Sequence, residues 1–393
     1  MRVERGDAVG LTRLLVRIDS RNPSLVPGGP GESAVAHALA DVLSEWGFRV
    51  ALEEAAPGRP NVVARIGGGR GGRSLMFNGH LDVVGVEGMT HEPWSADSNG
   101  HEGRLYGRGS ADMKGGVAAM CAAAARASEL LAGEVIVAAV VDEEFESIGT
   151  RALIASGVRA DATIVTEPTR LAIMPAHLGF AWLDVTMHGR AAHGSRWELG
   201  VDAIRHAGLF LAELDRIDSE HLPGKRHPLL GRPSVHASLI EGGTGMSTYP
   251  DRCSVRIERR TIPGETPDDA RMELEAACER VRAREVRFRS EVALTFAQPP
   301  SDVPVEAPIV RALGKALEQN NERTRIEGMS AWTDAALLND AGIPAICFGP
   351  GDIALAHAAE EWIPTDEIER ATNILAHLAT SWCANMTLQR GNA

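Results

Sequence analysis

Short apolar runs alternate with stretches of helical periodicity over the first part of the chain. Helical periodicity marks the segments 7–19, 32–46 and 115–131. Apolar runs of the length of buried strands lie between or after them, at 61–66, 74–78, 134–141 and 162–166. This alternation predicts an α/β fold, with a mixed, largely parallel sheet and helices on both of its faces.

The pattern changes near Gly179, where AWLDVTMHG alternates between apolar and polar residues like a half-buried strand. After it come a helical segment at 201–217, strand-like runs at 234–240 and 252–259, a helical segment at 267–282 and a last run at 286–294. The order βαββαβ predicts an inserted α+β, ferredoxin-like domain.

The predicted domains follow from these changes of pattern. The inserted domain takes residues 178–297, and the α/β pattern returns after them, so residues 1–177 and 298–393 form the other domain. A chain of 393 residues is also longer than a single hydrophobic core usually supports.

Acidic residues and histidines stand where the predicted strands end. His80 and Asp82 follow the first of three such strands, Asp142, Glu143 and Glu144 the second, and Glu167 the third. Asp112 lies in a glycine-rich loop before a predicted helix, and His357 follows a later strand. Because ligands of α/β sheets bind beyond the carboxyl ends of the strands, we expect these side chains to converge.

The composition of this cluster predicts a metal centre. Carboxylates held close together repel one another unless cations compensate their charge. A mixed set of imidazoles and carboxylates suits zinc, cobalt or manganese better than calcium or magnesium. Two ions sharing a carboxylate can polarise a carbonyl and activate water, and a spare carboxylate of the Glu143–Glu144 pair can carry the proton.

Each residue alone has a simpler interpretation. His80 would be a histidine of the core, Asp112 a helix N-cap, and Glu167 part of a turn before a proline. Their joint occurrence at successive strand ends favours the metal centre.

Charge and hydropathy exclude other classes of partner. The formal net charge of −13 argues against nucleic acid, since phosphate binding requires a basic face. No apolar run reaches the length of a membrane span, so we expect no membrane partner. The first residues lack the continuous apolar stretch of a secretory signal, which predicts a cytoplasmic protein.

Five motifs resemble the signature blocks of one metallopeptidase family, in the family's order and spacing. They read MFNGHLDVV, GRGSADMKGG, VVDEE, VTEPT and FGPGDIALAHAAEEW. The family includes acetylornithine deacetylase, succinyl-diaminopimelate desuccinylase, aminoacylase-1 and glutamate carboxypeptidase. The resemblance extends from about residue 10 to residue 380 and so covers both predicted domains.

The resemblance implies a centre with two metal ions, for which zinc is expected and cobalt or manganese are alternatives. It implies the ligands His80 and Glu167 for one ion, Glu144 and His357 for the other, and Asp112 for both. Asp82 would orient His80, as carboxylates often do for metal-bound imidazoles. Glu143 would be the general base, taking a proton from water and passing it to the leaving amine.

The inserted domain resembles the family's lid and dimerisation domain, which implies a homodimer. His193 matches a histidine that enters the partner subunit's site and stabilises the oxyanion, and Arg260 matches an arginine that binds the substrate's carboxylate. Ser247 stands where the family usually has a substrate-contacting asparagine. Trp332 is bulkier than the family's residue, and with Trp197 it hints at a more apolar pocket.

We therefore expect a metal-dependent amidohydrolase that cleaves an N-acyl amino acid into an amino acid and a carboxylate. A dipeptidase or carboxypeptidase using the same two-metal machinery is the nearest alternative. A third hypothesis is a non-catalytic member of the family that only binds ligands. The presence of every expected ligand type and of Glu143 argues against it.

Overall fold

The computed structural model describes residues 2–69 and 71–384 of the chain. The strands are β1 (Arg49–Ala56), β2 (Arg59–Gly67), β3 (Leu75–His80), β4 (Arg104–Tyr106), β5 (Glu134–Val140), β6 (Thr163–Val165), β7 (Ile173–His177), β8 (Gly179–His188), β9 (Ser234–Gly242), β10 (Arg252–Thr261), β11 (Arg289–Gln298), β12 (Ser301–Asp302), β13 (Ile326–Met329), β14 (Ala345–Cys347) and β15 (Trp362–Pro364). The helices are α1 (Ala8–Val16), α2 (Ser33–Glu45), α3 (Gly115–Ala127), α4 (Ile148–Ala155), α5 (Ala203–Arg216), α6 (Pro267–Arg282), α7 (Pro308–Gln319), α8 (Ala335–Asp340) and α9 (Thr365–Trp382).

The chain divides into two compact units. The first contains the residues up to Pro175, Val303–Glu327 and the residues from Thr333 onward. The second contains Ala176–Asp302 and Gly328–Trp332. No helix in the described part of the chain is both long and apolar enough to cross a membrane.

The first unit is built on a mixed sheet with the strand order β1-β2-β5-β3-β6-β14-β7. The four strands at its centre, β5, β3, β6 and β14, run parallel, while β1, β2 and β7 pair antiparallel with their neighbours. Every residue of β3 is buried, as expected for a strand covered on both faces. The predicted fold, a largely parallel mixed sheet with helices, is confirmed.

The alanine-rich helix α3 forms much of the core of this unit. Twelve of its thirteen residues are buried, and it packs against α1 and α9. Its start approaches β6 so closely that a Cβ at Gly116 would lie 2.0 Å from the carbonyl oxygen of Thr166. Glycine at this position therefore lets the loop before α3 reach the carboxyl edge of the sheet.

The second unit is a four-stranded antiparallel sheet with the order β11-β8-β10-β9. Helices α5 and α6 pack on this sheet, and their buried side chains form a separate core with Leu183, Val185 and Ile257. The element order βαββαβ is the predicted one. The last strand begins at Arg289 rather than at 286, because residues 285–288 form a turn closed by the Phe288 N–H to the Glu285 carbonyl oxygen.

The inserted part runs from Ala176 to Asp302, where the prediction has 178–297, and one later segment also differs. Gly328–Trp332, which the sequence leaves in the first domain, belongs to the second unit. The Leu178 N–H donates to the Met329 carbonyl oxygen at 3.2 Å, and the indole Nε1–H of Trp332 donates to the Pro299 carbonyl oxygen at 2.9 Å. These hydrogen bonds attach the segment to the ends of the inserted part of the chain.

Candidate metal centre

Three parallel strands deliver the first part of the site. In the sheet, His80 at the end of β3 lies opposite Val140, the last residue of β5, and Asn78 lies opposite Val165, the last residue of β6. Glu143 and Glu144 therefore emerge beside His80 on one side, and Glu167 on the other. Asp142, which has φ of +68°, turns the chain sharply after β5.

Asp112 reaches the same edge from an irregular turn, Ser110–Lys114, that precedes α3. Its backbone is extended (φ −121°, ψ 96°), and the Asp112–Met113 peptide bond is cis. His357 arrives from the loop after β14 and has φ of +60°. Unlike the other members, which are largely buried, its side chain is 52% exposed.

The structure brings all five predicted ligands together in two groups that share one residue. His80, Asp112 and Glu167 offer ligand atoms within 4.8 Å of one another, and so do Asp112, Glu144 and His357. The two oxygens of Asp112 are divided between the groups: Oδ1 lies 3.0 Å from His80 Nε2, and Oδ2 lies 3.6 Å from His357 Nε2. A carboxylate with one oxygen toward each group has the geometry to be shared by two cations.

Glu143 is the carboxylate that belongs to neither group. Its Oε2 lies 4.0 Å from His80 Nε2, so it stands beside the shared space without being part of either ligand set. Glu144, in contrast, contacts His357 directly, with Oε2 at 3.0 Å from the imidazole Nε2. The adjacent glutamates thus have different surroundings.

Burial and mutual repulsion disturb the titration of this cluster. Burial raises the pKa of Glu143 and of Glu167 well above the ordinary value, and neighbouring carboxylates raise both further. Burial opposes protonation of His80, yet the hydrogen bond with Asp112 and the charges of Glu143 and Asp82 raise the pKa of His80 well above the ordinary value. The carboxylates of this cluster therefore outnumber its positive charges, and two divalent cations would compensate the excess negative charge.

One orphaned atom supports the same conclusion. Glu167 Oε1 is buried and has no hydrogen-bond partner within the described residues. Burying a carboxylate oxygen without a hydrogen-bond donor raises the free energy of the folded protein, and a bound cation would offset this. The donor set, two imidazoles and three carboxylates, fits two metal ions.

Asp82 contacts its surroundings differently from the predicted arrangement. The Nδ1 of His80 hydrogen-bonds the main-chain oxygen of Asp82 at 2.9 Å, while the carboxylate Oδ1 is 3.6 Å away. The Asp82 carboxylate instead accepts the backbone N–H groups of Glu143 at 3.1 Å and Glu144 at 3.2 Å. Asp82 thereby ties the end of β3 to the turn that carries both glutamates.

A polar network behind this turn was not found from the sequence. Asn22 donates through Nδ2 to the carboxylates of Asp82 at 2.8 Å and Asp142 at 3.0 Å. Arg59 forms ion pairs with Asp142 at 2.8 Å and with the fully buried Glu32. These residues come from loops, from the N-cap of α2 and from the first position of the inner strand β2, with no motif around them that would have marked them.

A second missed pair supports the loop of Asp112. The buried carboxylate of Glu361 accepts the backbone N–H groups of Ala111 at 3.0 Å and Asp112 at 3.2 Å. It also pairs with Arg108 Nη1 at 2.6 Å, and the Nε of Arg108 donates to the Gly85 carbonyl oxygen. Burial raises the pKa of Glu361 to about 7, an effect that Arg108 opposes.

The other three predicted residues lie in the second unit. His193 and Ser247 are both exposed and occupy adjoining loops, joined by the Gly194 N–H to the Ser247 carbonyl oxygen at 2.7 Å. Arg260 lies on β10, where its Nε donates to Glu258 Oε1 at 2.5 Å. The functions predicted for these three residues stay predictions.

Comparison with known proteins decides the family. Residues 76–381 match the peptidase family M20/M25/M40. This chain belongs to that family. It is 30% identical over 339 residues to acetylornithine deacetylase of Myxococcus xanthus, covering 84% of this chain and 86% of that protein.

Two further proteins are similar over most of their length. N-formyl-4-amino-5-aminomethyl-2-methylpyrimidine deformylase of Bacillus subtilis strain 168 is 28% identical over 378 residues, 88% of each chain. The crystal structure of the Bacillus subtilis YXEP protein, a dinuclear metal-binding peptidase from the M20 family, superposes with a TM-score of 0.72 at 16% identity, covering 95% of this chain and 97% of that one.

Family membership confirms the enzyme class predicted from the motifs. The M20/M25/M40 chain is a metal-dependent hydrolase that acts on amide bonds. The two groups that share Asp112 could each hold one ion, which supports a centre of two metal ions.

Proposed function

We propose that this M20 enzyme hydrolyses N-acyl amino acids, releasing an amino acid and a carboxylate. The observation that carries the proposal is the carboxylate of Glu143, which stands 4.0 Å from His80 Nε2 and outside both ligand groups. The names of two similar proteins, an acetylornithine deacetylase and an N-formyl deformylase, support removal of a small acyl group.

In this proposal, His80 and Glu167 hold one ion, Glu144 and His357 the other, and Asp112 contacts both. We propose zinc as the metal, with cobalt or manganese as alternatives, because the set mixes imidazole and carboxylate. When bound, two such cations polarise the amide carbonyl and lower the pKa of water.

The reaction then needs one proton carrier, and we assign this role to Glu143. Its carboxylate accepts a proton from the attacking water as the new C–O bond forms. The carboxyl group then donates that proton to the amide nitrogen as the C–N bond breaks, so the amine leaves in neutral form. Asp82 positions this turn, because its carboxylate accepts the N–H groups of both Glu143 and Glu144.

We also propose roles for three residues of the second unit. Arg260 would bind the substrate's carboxylate, for which a guanidinium has suitable geometry. His193 would stabilise the oxyanion in the partner subunit of a homodimer, and Ser247 would contact the substrate from the adjoining loop. Support for the dimer comes from β9, an edge strand of the sheet that carries the exposed side chains Leu239 and Ile240.

The proposal is tested by a hydrolysis screen of N-acetyl, N-formyl and N-succinyl amino acids beside simple dipeptides, with protein stripped of metal and reloaded with zinc, cobalt or manganese. We expect metal-dependent release of amino acids from at least one N-acyl series. Preference for dipeptides would favour the peptidase alternative, which the M20 fold accommodates equally. Absence of turnover in protein shown to hold two metal ions would refute the proposal.

A further inference from the structure

Four aromatic side chains of the second unit form one cluster, here called the aromatic patch: Phe180, Trp182, Phe296 and Trp332. The ring centroids of Phe180 lie 5.3 Å from Trp182, 5.9 Å from Phe296 and 6.4 Å from Trp332. The sequence contains only 8 Phe, 7 Trp and 2 Tyr, so nearly a quarter of its aromatic residues meet in this patch. The low aromatic content of the chain does not account for four aromatic rings in one cluster.

The patch does not belong to the core of its unit. Along β8, Ala181, Leu183 and Val185 are fully buried in the core beneath α5 and α6, whereas Phe180 and Trp182 alternate with them and project from the opposite face. Trp182 is 39% exposed. The aromatic rings therefore lie on the face of the sheet that the helices of this unit leave open.

The polar atoms around the patch are already engaged, so its rings offer apolar surface. The indole Nε1–H of Trp182 donates to Glu258 Oε2 at 3.2 Å, and that of Trp332 donates to the Pro299 carbonyl oxygen at 2.9 Å. The other oxygen of Glu258 accepts from Arg260 Nε. Each oxygen of the Glu258 carboxylate thus already accepts a hydrogen bond from the protein.

Arg260 gives the patch a positively charged border. Its guanidinium carbon lies 5.3 Å from the centroid of the Phe180 ring. Only Nε is used by Glu258, and among the described residues no protein acceptor contacts Nη1 or Nη2. Two N–H-bearing nitrogens are thus left to bind a carboxylate beside an apolar surface.

We propose that the aromatic patch and Arg260 together bind the amino-acid part of the substrate, and that this part carries a large apolar or aromatic side chain. The carboxylate would occupy the Nη atoms of Arg260, and the side chain would lie against Trp182 and Phe296. A cationic side chain such as that of ornithine is disfavoured, because it would lose hydration on the apolar rings, and the carboxylate beside them, that of Glu258, is already paired with Arg260. This inference rests on the proposed function.

Trp197, which the sequence grouped with Trp332, is separate from this patch. It is 74% exposed, and none of the ring contacts of the described residues involves it. Of the two tryptophans that led us to predict a more apolar pocket, only Trp332 belongs to the aromatic patch.

The first test compares kcat/KM of the metal-loaded enzyme for N-acetylphenylalanine, N-acetylleucine, N-acetylglycine and N-acetylornithine. We expect the two apolar substrates to exceed N-acetylornithine by at least about 10-fold, the size of effect that a few buried apolar groups produce. Hydrolysis with N-acetylornithine as the best substrate would overturn the inference and leave the proposed function intact.

The second test uses Trp182→Ala, with Met272→Ala as the control. Met272 is an apolar side chain of α6 that is 50% exposed and lies outside the patch. Trp182→Ala should lower kcat/KM about 10-fold more for N-acetylphenylalanine than for N-acetylglycine, mainly through KM, while Met272→Ala should alter neither. An equal loss on both substrates would contradict a role in side-chain recognition.

A binding measurement separates this inference from the proposed function. Calorimetric titration with 3-phenylpropionate should show binding to the wild type that Trp182→Ala weakens, whereas propionate should bind far more weakly to both. Such binding without turnover of any N-acyl amino acid would refute the proposed function and retain the patch as a site. Equal affinity for 3-phenylpropionate and propionate would refute the patch.

Discussion

Glu143 and Glu144 are adjacent in sequence, yet their side chains have different surroundings. Glu144 contacts His357 and belongs to a ligand group, whereas Glu143 belongs to neither group and lies 4.0 Å from His80 Nε2. Such a difference is expected if Glu144 binds a metal ion and Glu143 carries a proton. The positions at the strand end predict only the pair, the family resemblance implies which member has which role, and the geometry places the two side chains differently.

The variant Glu143→Gln tests this distinction. It removes the carboxylate that accepts the proton and keeps the size of the side chain, so turnover should fall about 10²–10⁴-fold. The metal content of the purified protein, measured by mass spectrometry, should stay near two ions per chain. Loss of metal in parallel with activity would make Glu143 a ligand instead.

Lys114 predicts a pH dependence of stability. Its side chain is fully buried, its Nζ donates to the Ile18 carbonyl oxygen at 2.8 Å, and burial lowers the pKa of Lys114 to about 7. Between that pKa and the higher value of the unfolded chain, the unfolded state binds more protons, so this residue's contribution to stability should rise with pH.

Thermal unfolding of the wild type and of Lys114→Met between pH 6 and pH 9 measures this contribution. The melting temperature of the wild type, relative to that of the variant, should increase with pH across the range. A constant difference would mean that the lysine does not titrate in the folded protein near neutral pH.

At the scale of elements, the loop that carries Asp112 depends on a residue far away in sequence. The carboxylate of Glu361, which precedes β15, receives both the Ala111 and the Asp112 N–H groups and pairs with Arg108. It therefore fixes the backbone from which the shared carboxylate extends. The same contacts make Glu361 a positioning residue rather than a ligand.

Replacing Glu361 with Gln should weaken zinc binding about 10–100-fold, the usual effect of losing a partner that orients a ligand. The neighbouring exposed residue provides the control, because Glu360→Gln changes the same charge without touching the loop. Competition with a chromophoric chelator measures the zinc Kd directly. Equal affinities for the two variants would argue against a positioning role for Glu361.

The sequence predicts those elements whose pattern is local. Strand β3, which ends in His80, and strand β6, which precedes Glu167, are short apolar runs, and α3 is marked by its run of apolar residues, so each is recognisable by itself. Strand β1 was missed because it is a largely exposed edge strand, RVALEEAA, without a buried face to give it a period.

What the sequence could not give are contacts between residues far apart in the chain. The pairing of Arg59 with Glu32 and Asp142, and that of Glu361 with Arg108, bring together charges that individually resemble solvated surface residues. The carboxylate of Asp82 lies 3.6 Å from the ring of His80, and backbone N–H groups such as that of Glu143, at 3.1 Å, compete for it more closely. Only the folded backbone decides such competition.

At the scale of the whole molecule, the proposed homodimer can be tested with dimers that combine two different variants. If His193 acts in the partner's site, His193→Ala should abolish activity without disturbing assembly or metal content. Mixing it with Glu143→Gln subunits should restore activity, since one of the two sites in a mixed dimer then holds both groups. The recovered activity can reach at most that of one active site per mixed dimer.

Subunit exchange followed by activity assay and light scattering provides the measurement. Recovery of activity together with a dimeric mass supports the arrangement. A monomeric mass, or a dimer of mixed subunits that remains inactive, would refute a role for His193 across subunits.

The interrupted first unit also constrains the order in which the protein folds during its synthesis. Strand β14, which lies between β6 and β7 in the sheet, and helix α9, which packs on α3, are both encoded after the inserted unit. Most of the second unit is one continuous stretch, Ala176–Asp302, and has its own core. On the ribosome, the inserted unit can therefore become compact first. The fold around residues of the metal centre such as His80 and Asp112 can be completed only after the last part of the chain has emerged.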